Sequence, residues 1–405
     1  MTTQSDNPQA DTRERRSTAR RSLLGGVPLL AALTACRSGT PSPGGARGGA
    51  GGTGGTADPR PPGEVPARAV AAAGGRQAGV DRPAQPQGHA VVSVYGFPPE
   101  APFGEVLARL GREVLELTGS SGAALDGVAA GDLTVTVGVG PRLSAGAGRG
   151  GPGDLELPAF AREERTARTW GGDLLVQTCA SDPVALLLAD VRLAARLTAE
   201  GASRRWSQTG FRPPGGGPVR NLLGFPDGIE IPRSRGELER EVWLPGPGPA
   251  AGGTIAVVRR LRIDVPGFLA QPTARQEEAV GRRKTDGSPL SGGGPLDRPD
   301  LSAKSPRGRY LVPAMAHARR ANPNATGSGR MLRRGYSYHN GPEDQGLLFV
   351  SFQRQLRTFT ATQRRLDDGD ELMGFVTATA SGAFLILPGF GPELPLGAAL
   401  FRDGR

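Results

Sequence analysis

Two rhythms of apolar residues alternate along this chain, one suited to strands and one to helices. Residues 90–95 form a short β-branched run that predicts a strand. Residues 103–117 carry apolar side chains at helical spacing, and 133–139 return to a strand pattern. A Gly-rich loop follows, then a strand over 173–180, a helix over 183–197 and a strand starting at Trp206. The order recurs after Pro213: strand 253–263, helix 274–281, strand 346–353, helical pieces at 359–366 and 370–379, and a last strand at 383–387. Alternation of this kind predicts an α+β fold of the ferredoxin-like type, built once from residues 75–213 and again from 214–405. No clean sequence repeat links the two halves.

The region ahead of these elements reads differently. Residues 37–74 are mostly Gly, Pro, Ala and Ser with scattered arginines, too poor in apolar surface to fold, and are expected to form a flexible tether. Order is expected from about Arg76. Within residues 1–36, Arg20 and Arg21 precede an apolar run over 27–33, which is too short to span a bilayer and matches a twin-arginine export signal. The run ends Leu33-Thr34-Ala35-Cys36, which resembles a bacterial lipobox; an ordinary cleavage site with an incidental cysteine is the other reading. The expected location is therefore extracytoplasmic, with lipidated Cys36 holding the chain to the outer face of the cytoplasmic membrane. Cys179, the only other cysteine, leaves no internal disulfide to form and reads as a small core residue on a buried strand.

Charge changes this picture little. The formal net charge is +10, almost all of it from arginine, since lysine occurs only at Lys284 and Lys304. A basic chain suggests nucleic acid first, but these arginines are dispersed and aromatics make up only 5% of residues, so stacking platforms for bases are missing. Nucleic acid is not expected as a partner. Gly146–Gly151 fits a dinucleotide fingerprint formally, yet Pro152 and Gly153 follow where a helix must begin, so the segment reads as a loop.

Candidate chemistry is concentrated elsewhere. There are three histidines, His89, His317 and His339. His339 sits in a polar Asn-Gly-Pro loop and His89 opens a strand with no evident partner. His317 is approached through apolar and small residues and followed by an arginine cluster ending in Arg333 and Arg334, a setting for an anionic or negatively charging ligand. A packed core histidine beside a solvated basic loop is the plainer reading. Asp227 lies in Gly224-Phe225-Pro226-Asp227-Gly228, a tight turn with exposed backbone; by itself that is a common Asp-Gly turn. Together, one imidazole, one carboxylate and one guanidinium form the minimal set for peroxide chemistry at a haem: iron ligand, proton carrier and fixed cation.

These motifs resemble those of the dye-decolourising peroxidases, particularly the branch exported by the twin-arginine route. The likeness rests on Gly224–Gly228, on His317-Ala-Arg-Arg-Ala-Asn322-Pro323, and on Arg333-Arg-Gly-Tyr-Ser-Tyr338. It extends to Gly171–Gln177, Gly252–Arg260, Gln353-Arg354 and Leu387-Pro388-Gly389. Arg76-Gln77-Ala78-Gly79-Val80 stands where the family usually has His-Gln-Ala-Gly-Ile, and Gly335 where some relatives carry Asn. The resemblance implies a pair of ferredoxin-like domains of the dimeric α+β barrel type with one haem b bound in the C-terminal half. It implies His317 as proximal iron ligand, Asp227 as distal acid–base group and Arg333 as distal arginine. It also places Arg260 near the haem propionates and makes Leu347 and Phe349 apolar walls. The acidic residues of 367–371 hold candidates to bond the other nitrogen of His317.

The expected activity is that of a haem peroxidase that reduces hydrogen peroxide and oxidises bulky dyes or phenolics one electron at a time, with a homo-oligomer as one assembly open to it. Electrons from bulky donors would pass through Trp170, Trp206, Trp243, Tyr310, Tyr336 or Tyr338. The second reading is a haem-handling or iron-release lipoprotein of an uptake system; a third is a cofactor-free binding lipoprotein.

Overall fold

The computed structural model describes residues 68–119, 123–145, 153–213 and 218–401. The export signal, Cys36, most of the tether and the Gly146–Gly151 loop lie outside the described residues. The strands are β1 (His89–Gly96), β2 (Thr134–Val139), β3 (Leu174–Ala180), β4 (Ser203–Phe211), β5 (Val219–Arg220), β6 (Pro226–Asp227), β7 (Thr254–Ile263), β8 (Leu332–Arg333), β9 (Tyr336–His339), β10 (Gln345–Gln353) and β11 (Val376–Ile386). The helices are α1 (Phe103–Leu117), α2 (Pro141–Ala145), α3 (Pro183–Ala199), α4 (Arg235–Glu241), α5 (Val265–Leu269), α6 (Thr273–Val280), α7 (His317–Arg320), α8 (Pro323–Thr326) and α9 (Leu356–Asp367).

Local chemistry accounts for the helix starts. Asp182 accepts hydrogen bonds from the amides of Val184 and Ala185 and Pro183 follows it, so α3 begins there. Ser234 and Glu237 form a reciprocal capping box on α4. Asn322 caps α8 through the amide of Asn324, with Pro323 at its first position.

The main sheet runs β7-β11-β2-β3-β1-β4-β9-β10, with β8 beside β10, and β10 pairs back onto β7. The sheet is therefore a closed ring of antiparallel strands. Its order contains the same motif twice: β4-β1-β3-β2 in the first half and β11-β7-β10-β9 in the second. Both are the strand order of a ferredoxin-like unit, which the sequence alternation predicted without a visible repeat. The halves meet at two short seams, Phe211 opposite Ser337 and Leu385-Ile386 opposite Val139 and Gly138.

Because strand side chains alternate, β1, β3, β7 and β11 each contribute to two cores. Val92, Val94, Ala256, Val258, Tyr338, Leu348, Val350 and Phe384 point inside the ring with Trp243. Val91, Val137, Val176, Ile255, Val257 and Leu385 point outward under α1, α3 and Phe359 of α9. Leu107, Leu110 and Leu117 of α1 are completely or almost completely buried, each stabilising the layer by about 1.5–3 kcal/mol.

One expectation needs correction. Residues 370–379 do not form a helix: a single 3₁₀ turn spans Leu372–Phe375, and the last strand starts at Val376 rather than 383. Val376, Ala378 and Ala380 are buried while Thr377 and Thr379 are less so, a period of two. A register shift between Ala378 and Ala380 interrupts the alternation and made the segment look irregular. Cys179 is a buried free thiol on β3, its Sγ 3.6 Å from the Tyr336 hydroxyl, and burial pushes its pKa up to about 11.

Candidate active site

His317 opens the short helix α7. Its Nδ1 lies 2.6 Å from Asp370 Oδ2, and the Asp370 side chain has no exposed surface. The second oxygen of Asp370 accepts the amide of Leu372 at 2.8 Å, so both lone-pair faces of the carboxylate are engaged. Two further bonds tie α7 to the turn that carries Asp370: Glu371 N to Met315 O at 3.0 Å and Arg320 Nε to Gly369 O at 3.0 Å. Gly369 makes that turn possible. Its φ is +145°, and a Cβ there would stand 2.4 Å from Met315 Cε.

The imidazole is surrounded by protein, yet its side chain keeps 36% of its accessible surface, so the ring borders open space instead of packed atoms. No hydrogen bond among the described residues occupies Nε2. Burial works against charge on this ring, but the Asp370 charge and hydrogen bond outweigh it, and His317 is raised above the ordinary histidine value. Arg333 opposes and Asp227 assists that rise, which places all three groups in one electrostatic neighbourhood.

Asp227 ends β6, the return strand of a hairpin whose β5 partner is Val219. The side-chain oxygen of Asn221 accepts the amides of Leu223 and Phe225, and Arg220 clamps the turn to the carbonyls of Gly224, Lys284 and Thr285. Gly228, at φ +82°, donates its amide to Asp227 Oδ1 at 2.6 Å and fixes the carboxylate. Arg333 comes from β8, donates to Glu230 O at 3.1 Å and brings Nη2 to 3.6 Å from Asp227 Oδ1, an ion pair slightly too long for a hydrogen bond. An opening bounded by Arg212, Asp227, Arg233, Arg333, Arg334 and Gly335 lies beside this pair.

Register decides which other expected residues share the site. Leu347 faces Leu261 and Phe349 faces Arg259 across β10 and β7, whereas Arg260 faces Leu348. Leu347 and Phe349 therefore point to the outer face, the face of Ser351 and its β8 partner Arg333. Arg260 points to the opposite face, stacked 4.6 Å from the Tyr338 ring centroid. Its guanidinium is engaged by Asp344, Thr379 and Gln208. Arg260 and the two apolar residues thus lie on opposite faces of the sheet. At Gly335 a Cβ would stand 3.1 Å from Leu347 Cδ1, a close contact with the end of that side chain. His339 is exposed at the end of β9, as expected.

Sequence reasoning narrowed the partner of His317 to an acidic stretch but did not choose Asp370. Its neighbours are committed elsewhere: Asp367 accepts from the amide of Ala161 and from Gln363, Asp368 caps α9, and Glu371 pairs with Arg275. A usable signal was its place as the first residue after the glycine that reverses the chain. The buried pair Arg259–Glu163, at 2.6 Å with each side chain 2% exposed, was missed altogether.

The residues present fit a haem. An imidazole has its second nitrogen held by a buried carboxylate and its first nitrogen free, which is the donor arrangement of an iron ligand. Leu347 and Phe349 supply apolar surface on the sheet face that Arg333 shares.

Comparison with known proteins agrees with this assignment. Residues 104–212 match the family model of the Dyp-type peroxidase N-terminal region, and residues 218–390 that of the C-terminal region. A dye-decolorizing peroxidase of Thermobifida fusca (strain YX) is 36% identical over 290 residues, covering 66% of this chain and 67% of the relative. A deferrochelatase of Yersinia pestis is 35% identical over 282 residues, covering 64% of each chain. The crystal structure of a DyP-type peroxidase from Streptomyces coelicolor superposes with a TM-score of 0.76 at 32% identity, covering 83% of this chain and 97% of that one.

Proposed function

This chain belongs to the Dyp-type peroxidase family of haem-dependent oxidoreductases, and from that premise we propose that it reduces hydrogen peroxide with Asp227 as proton carrier and Arg333 as fixed cation, oxidising bulky dyes or phenolics. The observation that carries the reading is the pairing of His317 with fully buried Asp370, while Arg333 and Asp227 act on the same ring through space. His317 would hold the iron of one haem b through Nε2, and the haem would supply the redox capacity to accept electrons singly from organic donors.

The chain's own residues do the rest. Asp370 fixes the tautomer of His317, keeping the proton on Nδ1 and the lone pair on Nε2. Asp227 has Oδ1 committed to the amide of Gly228, which leaves Oδ2 to take the proton from one peroxide oxygen and deliver it to the other. Arg333, tied to Glu230 O, presents positive charge where the departing oxygen gathers electrons. Water is the product of that proton delivery, and two donor molecules are each oxidised by one electron per peroxide.

The opening beside Asp227 is narrow and ringed by arginines, which suits peroxide better than a dye. Electrons from bulky donors would then enter through side chains. Tyr310 is exposed and Trp170 and Trp206 are partly so, whereas Trp243, Tyr336 and Tyr338 are buried and can serve only as inner relays. We also propose export through Arg20-Arg21, a lipid anchor at Cys36 and domain limits of 75–213 and 214–405.

The 35% identity to a deferrochelatase favours a second reading, release of iron from haem by an anchored uptake protein. Asp227→Ala separates the two. Under the peroxidase reading, peroxide-dependent dye oxidation collapses while bound haem, read from its absorption spectrum, stays; unchanged turnover in that variant defeats the reading.

A further inference from the structure

A cavity of about 270 Å³ lies among Arg142, Leu157, Arg165, Trp170, Arg205 and Ser381, and it shares no lining residue with the opening beside Asp227. Its lip is built by the stretch leading into β3. Trp170 closes a turn onto Thr166 O, and Gly171 N donates to Ser381 O at 2.8 Å, which sets the indole beside β11. Arg205 of β4 locks the turn by donating to the carbonyls of Ala167 and Trp170. The floor is apolar: Leu155 and Ala383 are buried there, with Leu157 at the wall.

The polar side chains of the lining are Arg142, Glu156, Arg165, Asp173, Arg205 and Ser381. The indole N–H of Trp170, Arg205 Nε and the hydroxyl of Ser381 are buried behind this lining without a hydrogen-bond partner among the described residues, so the charge that reaches the opening is that of Arg165. Arg142 is held by Asp173 at 2.8 Å. Arg165, by contrast, lies over the Trp170 ring at 5.2 Å, with Glu163 4.0 Å away and already bonded to Arg259 at 2.6 Å. Arg165 is thus an under-used guanidinium, 42% exposed, poised on an aromatic wall above an apolar floor.

We propose that this cavity binds an aromatic carboxylate, its ring against Trp170 and Leu157 and its anionic group on Arg165. Guanidinium forks match carboxylates in shape and charge, and the aromatic wall and apolar floor favour an arene over a bare inorganic anion. The volume, just below the usual range of about 300–1,000 Å³ for ligand sites, suits one or two fused rings. This site stands independently of the haem reading.

The test is calorimetric titration of the full-length protein with 2-naphthoate, with neutral 2-naphthalenemethanol as comparison. One-to-one binding is expected for naphthoate, with much weaker binding of the alcohol. Arg165→Gln should weaken naphthoate by about tenfold or more, the scale of a lost charge-assisted hydrogen bond, and leave the alcohol unchanged. Trp170→Leu should weaken both. His317→Ala should bind naphthoate as the unaltered protein does, which separates this site from the haem site. Absence of binding at millimolar naphthoate, equal affinity in folded Arg165→Gln (checked by circular dichroism), or loss of binding in His317→Ala would overturn the proposal.

Discussion

Asp370 Oδ2 and His317 Nδ1 stand 2.6 Å apart, with the carboxylate wholly withdrawn from water. The bond crosses from the turn after α9 to the start of α7 and fixes the ring whose other nitrogen is free. Asp370→Asn keeps the shape but removes the charge. Haem affinity should fall by about 10- to 100-fold, the usual cost of losing such a supporting partner. Titration of the haem-free variant with haem, followed by absorbance, measures this; unchanged affinity would show that the pair is only a packing contact.

The same pair makes the haem-free protein sensitive to pH. His317 is raised above its unfolded value, so its contribution to stability is fully present below the ordinary histidine pKa of about 6.5 and is lost as pH rises through the folded value. Urea midpoints of the haem-free protein should therefore decline from pH 6 towards pH 9, and Asp370→Asn should flatten that part of the profile. With haem bound the sign reverses, because protons compete with iron for the imidazole, and haem should be shed on acidification.

Arg333 acts through position as well as charge. Arg333→Leu should lower kcat/KM for peroxide by about 10²–10³-fold, the scale of losing one fixed donor to a developing anion, while haem content is retained. Arg333→Lys should rescue little, since an ammonium group cannot keep the Glu230 carbonyl contact and reach Asp227 together. Steady-state kinetics at saturating donor check both.

Behind Phe349, Arg259 lies against the rings of both Phe160 and Phe359 and is bonded to Glu163 and Gln363. Glu163→Gln strands a buried guanidinium and should destabilise the fold by about 3–5 kcal/mol. Replacing both, Glu163→Leu with Arg259→Met, should cost much less. Urea unfolding of the single and double variants decides.

Much of this was legible in the sequence because strand and helix periods differ. The bounds of α1, β3 and β7 follow directly from apolar spacing, and Asp227, His317 and Arg333 stand out by motif. Facing is harder to read. Arg259 and Arg260 are adjacent and identical in kind, and only pairing with β10 reveals that one turns towards Phe349 and the other towards Tyr338. The strand at Val376 was obscured by a local bulge, and Asp370 by acidic neighbours that only the fold assigns to other tasks.

The closed ring has a consequence for how the polypeptide matures. Each ferredoxin-like half finishes in two raw ladders that only its counterpart covers, and β2 waits for Leu385 and Ile386, made more than two hundred residues later. A ribosome-bound chain lacking Val376–Ile386 thus carries uncapped sheet margins that invite misassociation. Circular closure has to await β11, and any partner that shields a nascent sheet has its most useful moment just before that strand emerges.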